Sequence, residues 1–500
     1  VSEATNEASR PSPPSLLLGA AHLAALWALA FVQPMLSLLG ANPEFFIARG
    51  NTSMQIVVYA LSLAFIPPLV GLLIEVVAQR FGDLARWRVH LVLMAAVGSA
   101  LALELLKWLA DFPAGLMIAV AIAIGAAAAF VYDRFRFPRS FMDILTPAPI
   151  VILAVFFFFS PTTKVLFPPD DPVAAKVTVG NPAPVVMVIF DEFPLASLIK
   201  PDGEVDSSRF PAFAELASTS TWYANATGNS AFTTLAVPAI LTGRTPSNDD
   251  LPIAADNPES IFTLLGDSYR MNVSEYATRV CPQTLCPKEE VTTPGAGLGD
   301  LLSDLQVVSA HLLLPDSIRR SLPDISQSFA AFSDEVEDPE AGVAPEGPEA
   351  YGEDPAETAP SPANKGAARA LGRVFADESG EEVNEVRRFT RSLKSAGARP
   401  ALNLTHIIKP HYPWQHIPSG QRYSNLTSEW SGLLPDNGAW DAQGRMVDVA
   451  LQRHMLEVGF TDTMLRQIIN RLKRTGLWER ALVVVTADHG AAFRPLVDRR

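Results

Sequence analysis

Cysteine is nearly absent from this chain: two in 500 residues. That excludes a disulfide-dense scaffold and any zinc site built on four cysteines. Charge is also sparse, at 18% of residues, and what there is leans acidic, with 39 Lys and Arg against 53 Asp and Glu for a net charge of −14. A nucleic-acid partner would call for a basic surface, so none is expected. Hydrophobic residues make up 48%, which argues against wholesale disorder. The acidity is unevenly placed. Residues 1–169 hold 10 basic and 9 acidic side chains, a net of +1, and the remainder carries −15. Two differently built halves therefore meet near residue 170.

The first half is made of long apolar runs. After a polar tail over residues 1–14, five stretches run from Ser15 to Leu39, Met54 to Ala78, Val89 to Leu109, Pro113 to Val131, and Ile144 to about Phe167. Each is near the ~20 residues that a helix needs to cross a bilayer core. The spacing predicts a transmembrane domain over 15–168 with a linker at 169–184. The second inter-span loop carries Arg80, Arg86 and Arg88, and the fourth carries Arg134, Arg136 and Arg139, so the positive-inside bias places both in the cytoplasm. Everything after the fifth span is then extracytoplasmic, in a multi-pass protein of the cell membrane with membrane lipids as neighbours. Glu104 and Lys107 sit about one turn apart and read as a neutralising pair near the membrane edge.

The second half, 185–500, reads as α/β. Val185 to Phe190 (VVMVIF) is a short β-branched run, and Ala481 to Thr486 (ALVVVT) follows a helical pattern through Val458, Met464, Ile468 and Leu472. Helix followed by buried strand indicates a parallel sheet. Ten acidic and no basic residues between Asp334 and Glu357 mark 333–365 as a disordered acidic insert. Ligands of open parallel sheets bind beyond the carboxyl ends of the strands. There the two strands end in Asp191-Glu192 and Asp488-His489-Gly490, suitable ligands for a divalent cation. Cys281 and Cys286 flank a proline-containing turn on the oxidising side and are expected to pair.

Three segments carry a resemblance. Phe210 to Ala217 (FPAFAELA), Trp222 to Ala226 (WYANA) and Leu241 to Arg244 (LTGR) resemble the N-terminal signature of sulfatases and the wider alkaline phosphatase superfamily. Val485 to Gly490 (VTADHG), after the helix containing Asp462, resembles its second metal-binding motif. An apolar anchor ahead of an outside domain is also similar to lipoteichoic acid synthases and lipid A phosphoethanolamine transferases. The resemblance implies one divalent ion, zinc, manganese or calcium, on Asp191, Thr233, Asp488 and His489, with Glu192 as an additional or neighbouring ligand. It also implies a nucleophile. Counting eleven residues back from Arg244, as in sulfatases, or five back from Pro238, as in the phosphoethanolamine transferases, reaches Thr233, with Thr234 as the alternative. Read without the resemblance, Ser230 to Thr234 is an ordinary helix start.

A sulfatase nucleophile is Cys or Ser, oxidised to formylglycine. Threonine cannot become that aldehyde, so the resemblance points toward phospho-group chemistry through a threonine alkoxide. Pro410 to Trp414 (PHYPW) resembles the segment that holds a substrate histidine in lipoteichoic acid synthases, which implies a catalytic and substrate-binding role for His411. His416 is a second substrate-binding candidate, and His406 ends a strand-like run. His22, His90, His311 and His454 have no motif and read as packed histidines. Family members continue past the DHG motif, so a C-terminal truncation is expected. The expectation is a metal-dependent enzyme acting on a phospho-group, less readily a sulfo-group, of an extracytoplasmic lipid or glycan. The competing readings are a sulfuric ester hydrolase working without formylglycine and a non-catalytic envelope protein that keeps the fold.

Overall fold

The computed structural model describes residues 12–48, 50–109, 112–275, 277–287, 308–310, 312–315, 318, 378–394, 397, 399–412, 414–422, 440 and 444–499. The acidic insert and His311 lie outside the described residues. The chain divides into two compact units, Val1–Pro169 with Thr292–Leu322, and Asp170–Val291 with Pro323–Arg500.

The first unit holds five helices long and apolar enough to cross a membrane: α1 (Leu16–Ala41), α2 (Ser53–Gln79), α3 (Asp83–Lys107), α4 (Ala114–Arg134) and α5 (Arg136–Phe159). Thr52 and Gln55 cap α2 reciprocally, which satisfies backbone donors that lipid cannot. A Cβ on Gly125 of α4 would collide with Ser99 and the Ala95 carbonyl of α3. Only glycine permits that close crossing. The fifth helical segment starts well before Ile144 because its first part is amphipathic: Arg139 is buried and donates to the carbonyls of Tyr132 and Asp133. Thr146 and Pro147 then interrupt it before the apolar Ala148–Phe159. Lys107 Nζ donates to the Leu312 carbonyl within the same unit, so the described residues of 308–315 group with the helices rather than with the sheet.

The second unit is built on a four-stranded sheet of order β2-β3-β1-β4, every pair parallel. Its strands are β1 (Val185–Phe190), β2 (Arg270–Ser274), β3 (Ala401–Ile407) and β4 (Leu482–Ala487). β1 is central and buried along its whole length, as its unbroken β-branched run requires. Strand alternation sends Val186, Val188 and Phe190 to one face, against helices α6 (Pro211–Thr219), α8 (Glu378–Ser392) and α9 (Gly444–Thr475). Val185, Met187 and Ile189 go to the other, against α7 (Thr233–Thr242). Parallel pairing aligns all four carboxyl ends on one edge. Cys281 and Cys286 are disulfide-bonded.

Candidate active site

Strand register assembles the site. Phe190 of β1 pairs with Ala487 of β4, and the ladder runs one residue further: Asp191 N donates to the Ile407 carbonyl and Asp488 N to that of Phe190, both at 3.0 Å. Two carboxylates 297 positions apart, by their numbers 191 and 488, therefore leave adjacent strands at the same level. Both are buried.

Each carboxylate has one oxygen engaged and one presented. Asp488 Oδ1 accepts from the Glu192 amide at 3.2 Å and the His489 amide at 2.6 Å. Its Oδ2 is buried without a hydrogen bond, as is Asp191 Oδ2. A bare buried carboxylate oxygen is costly unless something cationic meets it. His489 Nδ1–H donates to the Gly490 carbonyl at 3.0 Å. That tautomer leaves a lone pair on Nε2, which stands 3.5 Å from Asp191 and 3.7 Å from Asp488. Asp191, Asp488 and His489 offer ligand atoms within 4.8 Å of one another, so this buried group can hold a divalent ion. Burial, then the neighbouring Asp488, pushes the Asp191 carboxyl above its ordinary value, and a cation would reverse that.

Thr233 completes the group. It is the first residue of α7, whose N-cap is Phe232 and whose cap makes no side-chain hydrogen bond. Its hydroxyl instead lies 3.3 Å from Asp191 Oδ1 and 3.2 Å from His489 Nε2. Thr234, one residue on, faces a different small cleft with Pro238 and Arg244. The LTGR segment ends the helix: Gly243 at φ 68° donates to Ala239, and Thr242 Oγ1 accepts from the Arg244 amide.

The remaining histidines separate. His406, on β3 opposite Ile189, has Nε2 3.9 Å from Asp488 and Nδ1 3.0 Å from Glu275. Burial alone would lower its pKa, but the hydrogen bond and charge of Glu275 outweigh it and raise it to about 9. His411 Nδ1–H donates to the Tyr412 carbonyl, and Nε2 sits 3.7 Å from Glu192. His416 is held on α9 instead, 2.8 Å from Glu457 and stacked on Phe460. His454 accepts Ser197 in the interior, and burial lowers its pKa to about 4.

Glu192 adopts φ 54°, a left-handed conformation that costs a non-glycine residue about 1 kcal/mol. One Glu192 oxygen pairs with Arg499. Arg499 also lines a cleft of about 350 Å³ with His489, Ser230, Gly228 and Pro194. Neither Arg499 nor Glu275 belongs to a motif legible in the sequence. An acid ending the α/β crossover after β2 and an arginine past DHG were the available signals.

Residues 349–498 match the Sulfatase family model, a stretch containing β3, α9, β4 and the DHG turn. No curated protein matches the chain. Among solved structures it is similar, at 16% identity and a TM-score of 0.33, to the crystal structure of phosphonate monoester hydrolase of Agrobacterium radiobacter, covering 62% of this chain and 63% of that one. The chain thus spans less than two thirds of that protein. Asp191 and Thr233 lie upstream of the matched stretch; Asp191 reaches it through the pairing of β1 with β3 and β4, and Thr233 through its hydroxyl at His489. A stretch that matches the Sulfatase family model thus follows, along the chain, five helices long and apolar enough to cross a membrane.

Proposed function

We propose that the protein is a metal-dependent enzyme that transfers or hydrolyses a phospho-group, and less readily a sulfo-group, on an extracytoplasmic lipid or glycan, with Thr233 as nucleophile. The observation that carries this reading is the Thr233 hydroxyl, which is not spent on a helix cap and points between Asp191 and His489. Asp191, Asp488, His489 and the Thr233 oxygen would hold the ion, whether zinc, manganese or calcium. When bound, the ion supplies Lewis-acid stabilisation and favours the alkoxide at neutral pH.

The chain's own groups account for the rest. Asp191 Oδ1 orients the hydroxyl and takes its hydrogen bond. The N-terminus of α7 places backbone dipoles behind the same oxygen, which favours developing negative charge there. Thr233 Oγ1 attacks in line, so an O–P bond forms as the bond to the leaving oxygen breaks, giving a phosphothreonine. His411 Nδ1–H is engaged by the Tyr412 carbonyl, so the ring acts as an imidazolium, with Glu192 3.7 Å away as its counter-charge, and donates its Nε2 proton to that leaving oxygen. Arg499, lining the cleft, balances the anion. Water or an acceptor hydroxyl then releases the phospho-group.

The test is intact mass after incubation with an aryl phosphate ester or native membranes. A covalent phospho-adduct on Thr233 is expected, together with its absence in Thr233→Ala. Turnover retained without any adduct and unaffected by Thr233→Ala would leave direct attack by water, and sulfate released from an aryl sulfate faster than phosphate would favour the sulfatase reading.

A further inference from the structure

The five membrane helices bury a cluster of ionisable side chains that the enzyme site does not use. Glu75 of α2 and His90 of α3 are fully buried, with Glu75 Oε1 2.9 Å from His90 Nδ1. His90 Nε2 lies 3.4 Å from the Tyr132 hydroxyl of α4. That hydroxyl lies 2.7 Å from Nδ1 of His22 on α1, and His22 Nε2 lies 2.8 Å from Asp143 on α5. One residue from each helix thus makes an unbroken line, closed at Glu75 and about half exposed, at 49%, at Asp143. Ionisable groups inside apolar helices are expensive and mark function by default.

With both imidazoles neutral, the hydrogens have one consistent arrangement. A carboxylate at Asp143 can only accept, so His22 carries its proton on Nε2 and accepts on Nδ1. Tyr132 therefore donates to His22, its oxygen accepts from His90 Nε2–H, and His90 Nδ1 accepts from a protonated Glu75. Every bond points the same way. From this alignment we infer that Glu75 is a proton-binding site in the membrane unit, exchanging its proton with water through His90, Tyr132, His22 and Asp143.

In one transfer, four bonds break and four form: Glu75 O–H to His90 Nδ1, His90 Nε2–H to the Tyr132 oxygen, the Tyr132 proton to His22 Nδ1, and His22 Nε2–H to Asp143. Asp143 releases the proton to water, and uptake retraces the same bonds. The charged product is provided for. Glu75 Oε2 and Arg86 Nη1 are buried 3.9 Å apart, and neither makes a hydrogen bond among the described residues. The other charged groups facing the line are Arg139, which lies over the Tyr132 ring, and Asp133, which accepts from Trp87. Glu75, His90, Tyr132 and Asp143 lie toward the helix ends near Arg80, Arg86, Arg134 and Arg136.

Infrared difference spectroscopy on the full chain in lipid vesicles tests this without any substrate. A buried carboxylic-acid carbonyl band is expected that is lost in Glu75→Gln and shifts when water is exchanged for D2O. Tyr132→Phe removes the oxygen joining the two imidazoles while keeping the ring, so the band should remain and its exchange slow by about a hundredfold, the low end of what a positioned proton donor supplies. Asp143→Asn, at a half-exposed site that tolerates change, should slow it likewise. Helix content by circular dichroism accompanies each variant. A band unaffected by Glu75→Gln, or exchange at the wild-type rate in both Tyr132→Phe and Asp143→Asn, overturns the inference.

Discussion

Thr233 shows how one atom can distinguish chemistry from local structure. Had its hydroxyl capped α7, replacing it would cost about 1 kcal/mol of helix stability. Because it points to Asp191 and His489 instead, Thr233→Ala should melt close to wild type and lose turnover by roughly a thousandfold or more, while Thr233→Ser keeps an attacking oxygen and part of the rate. Melting curves and initial rates on an aryl phosphate ester separate the two roles. Asp488 is the other decisive residue, since its Oδ1 is already engaged by two amides and only Oδ2 is presented. Elemental analysis of purified Asp488→Ala should find less than stoichiometric divalent metal and no turnover. Full metal content in that variant would move the ion elsewhere.

Among the elements, α9 does more than cover the sheet. Its Asp462 accepts from the amides of Ala212 and Phe213, at 2.8 and 3.0 Å, and so caps α6 from a distance. Asp462→Ala should cost about 1–2 kcal/mol of stability and leave metal content unchanged. One turn earlier, Glu457 accepts from the Gln415 and His416 amides and faces His416 Nδ1 and Lys409. Burial alone would raise its pKa, but Lys409 and His416 outweigh that and hold it below the ordinary 4.5. The sign follows from linkage. A depressed carboxyl stabilises the fold above pH 4.5, and that contribution is lost as the pH falls through the folded value. Glu457→Gln should therefore destabilise the second unit by about 3 kcal/mol near neutrality. Urea titrations of both proteins should converge in more acidic buffer, and a gap independent of pH would argue against an ionised Glu457.

For the molecule as a whole, charge in the loops sets the expected orientation in the membrane. The arginines of the second and fourth loops predict that both loops are cytoplasmic. The structure refines where to probe, because Arg86 is buried whereas Arg80, Arg136 and Ser207 are exposed. Cysteines at Arg80 or Arg136 should be protected from a membrane-impermeant thiol reagent in intact cells, and one at Ser207 should be labelled. The reverse pattern would place the sulfatase-like domain in the cytoplasm and remove envelope lipids and glycans as substrates.

Periodicity and run length in the sequence determined the coarse architecture, because membrane helices and buried parallel strands must be apolar over lengths set by the bilayer and the sheet. The five spans and the β1 and β4 strands are legible for that reason. The third begins at Asp83 rather than Val89, and the fifth runs Arg136–Phe159 rather than Ile144 to about Phe167, since buried arginines such as Arg86 and Arg139 can make a polar segment helical in a way that hydropathy does not register. Asp191, Asp488 and His489 were legible as strand-end residues. What only the tertiary structure decided are relations across distant segments: the register that sets Asp191 beside Asp488, the direction of the Thr233 hydroxyl, the turning of His416 toward Glu457, and the pairing of Glu192 with Arg499. His22 and His90 make the same point within the membrane unit. In the sequence they are isolated histidines in separate spans, and helix packing alone brings Tyr132 between them.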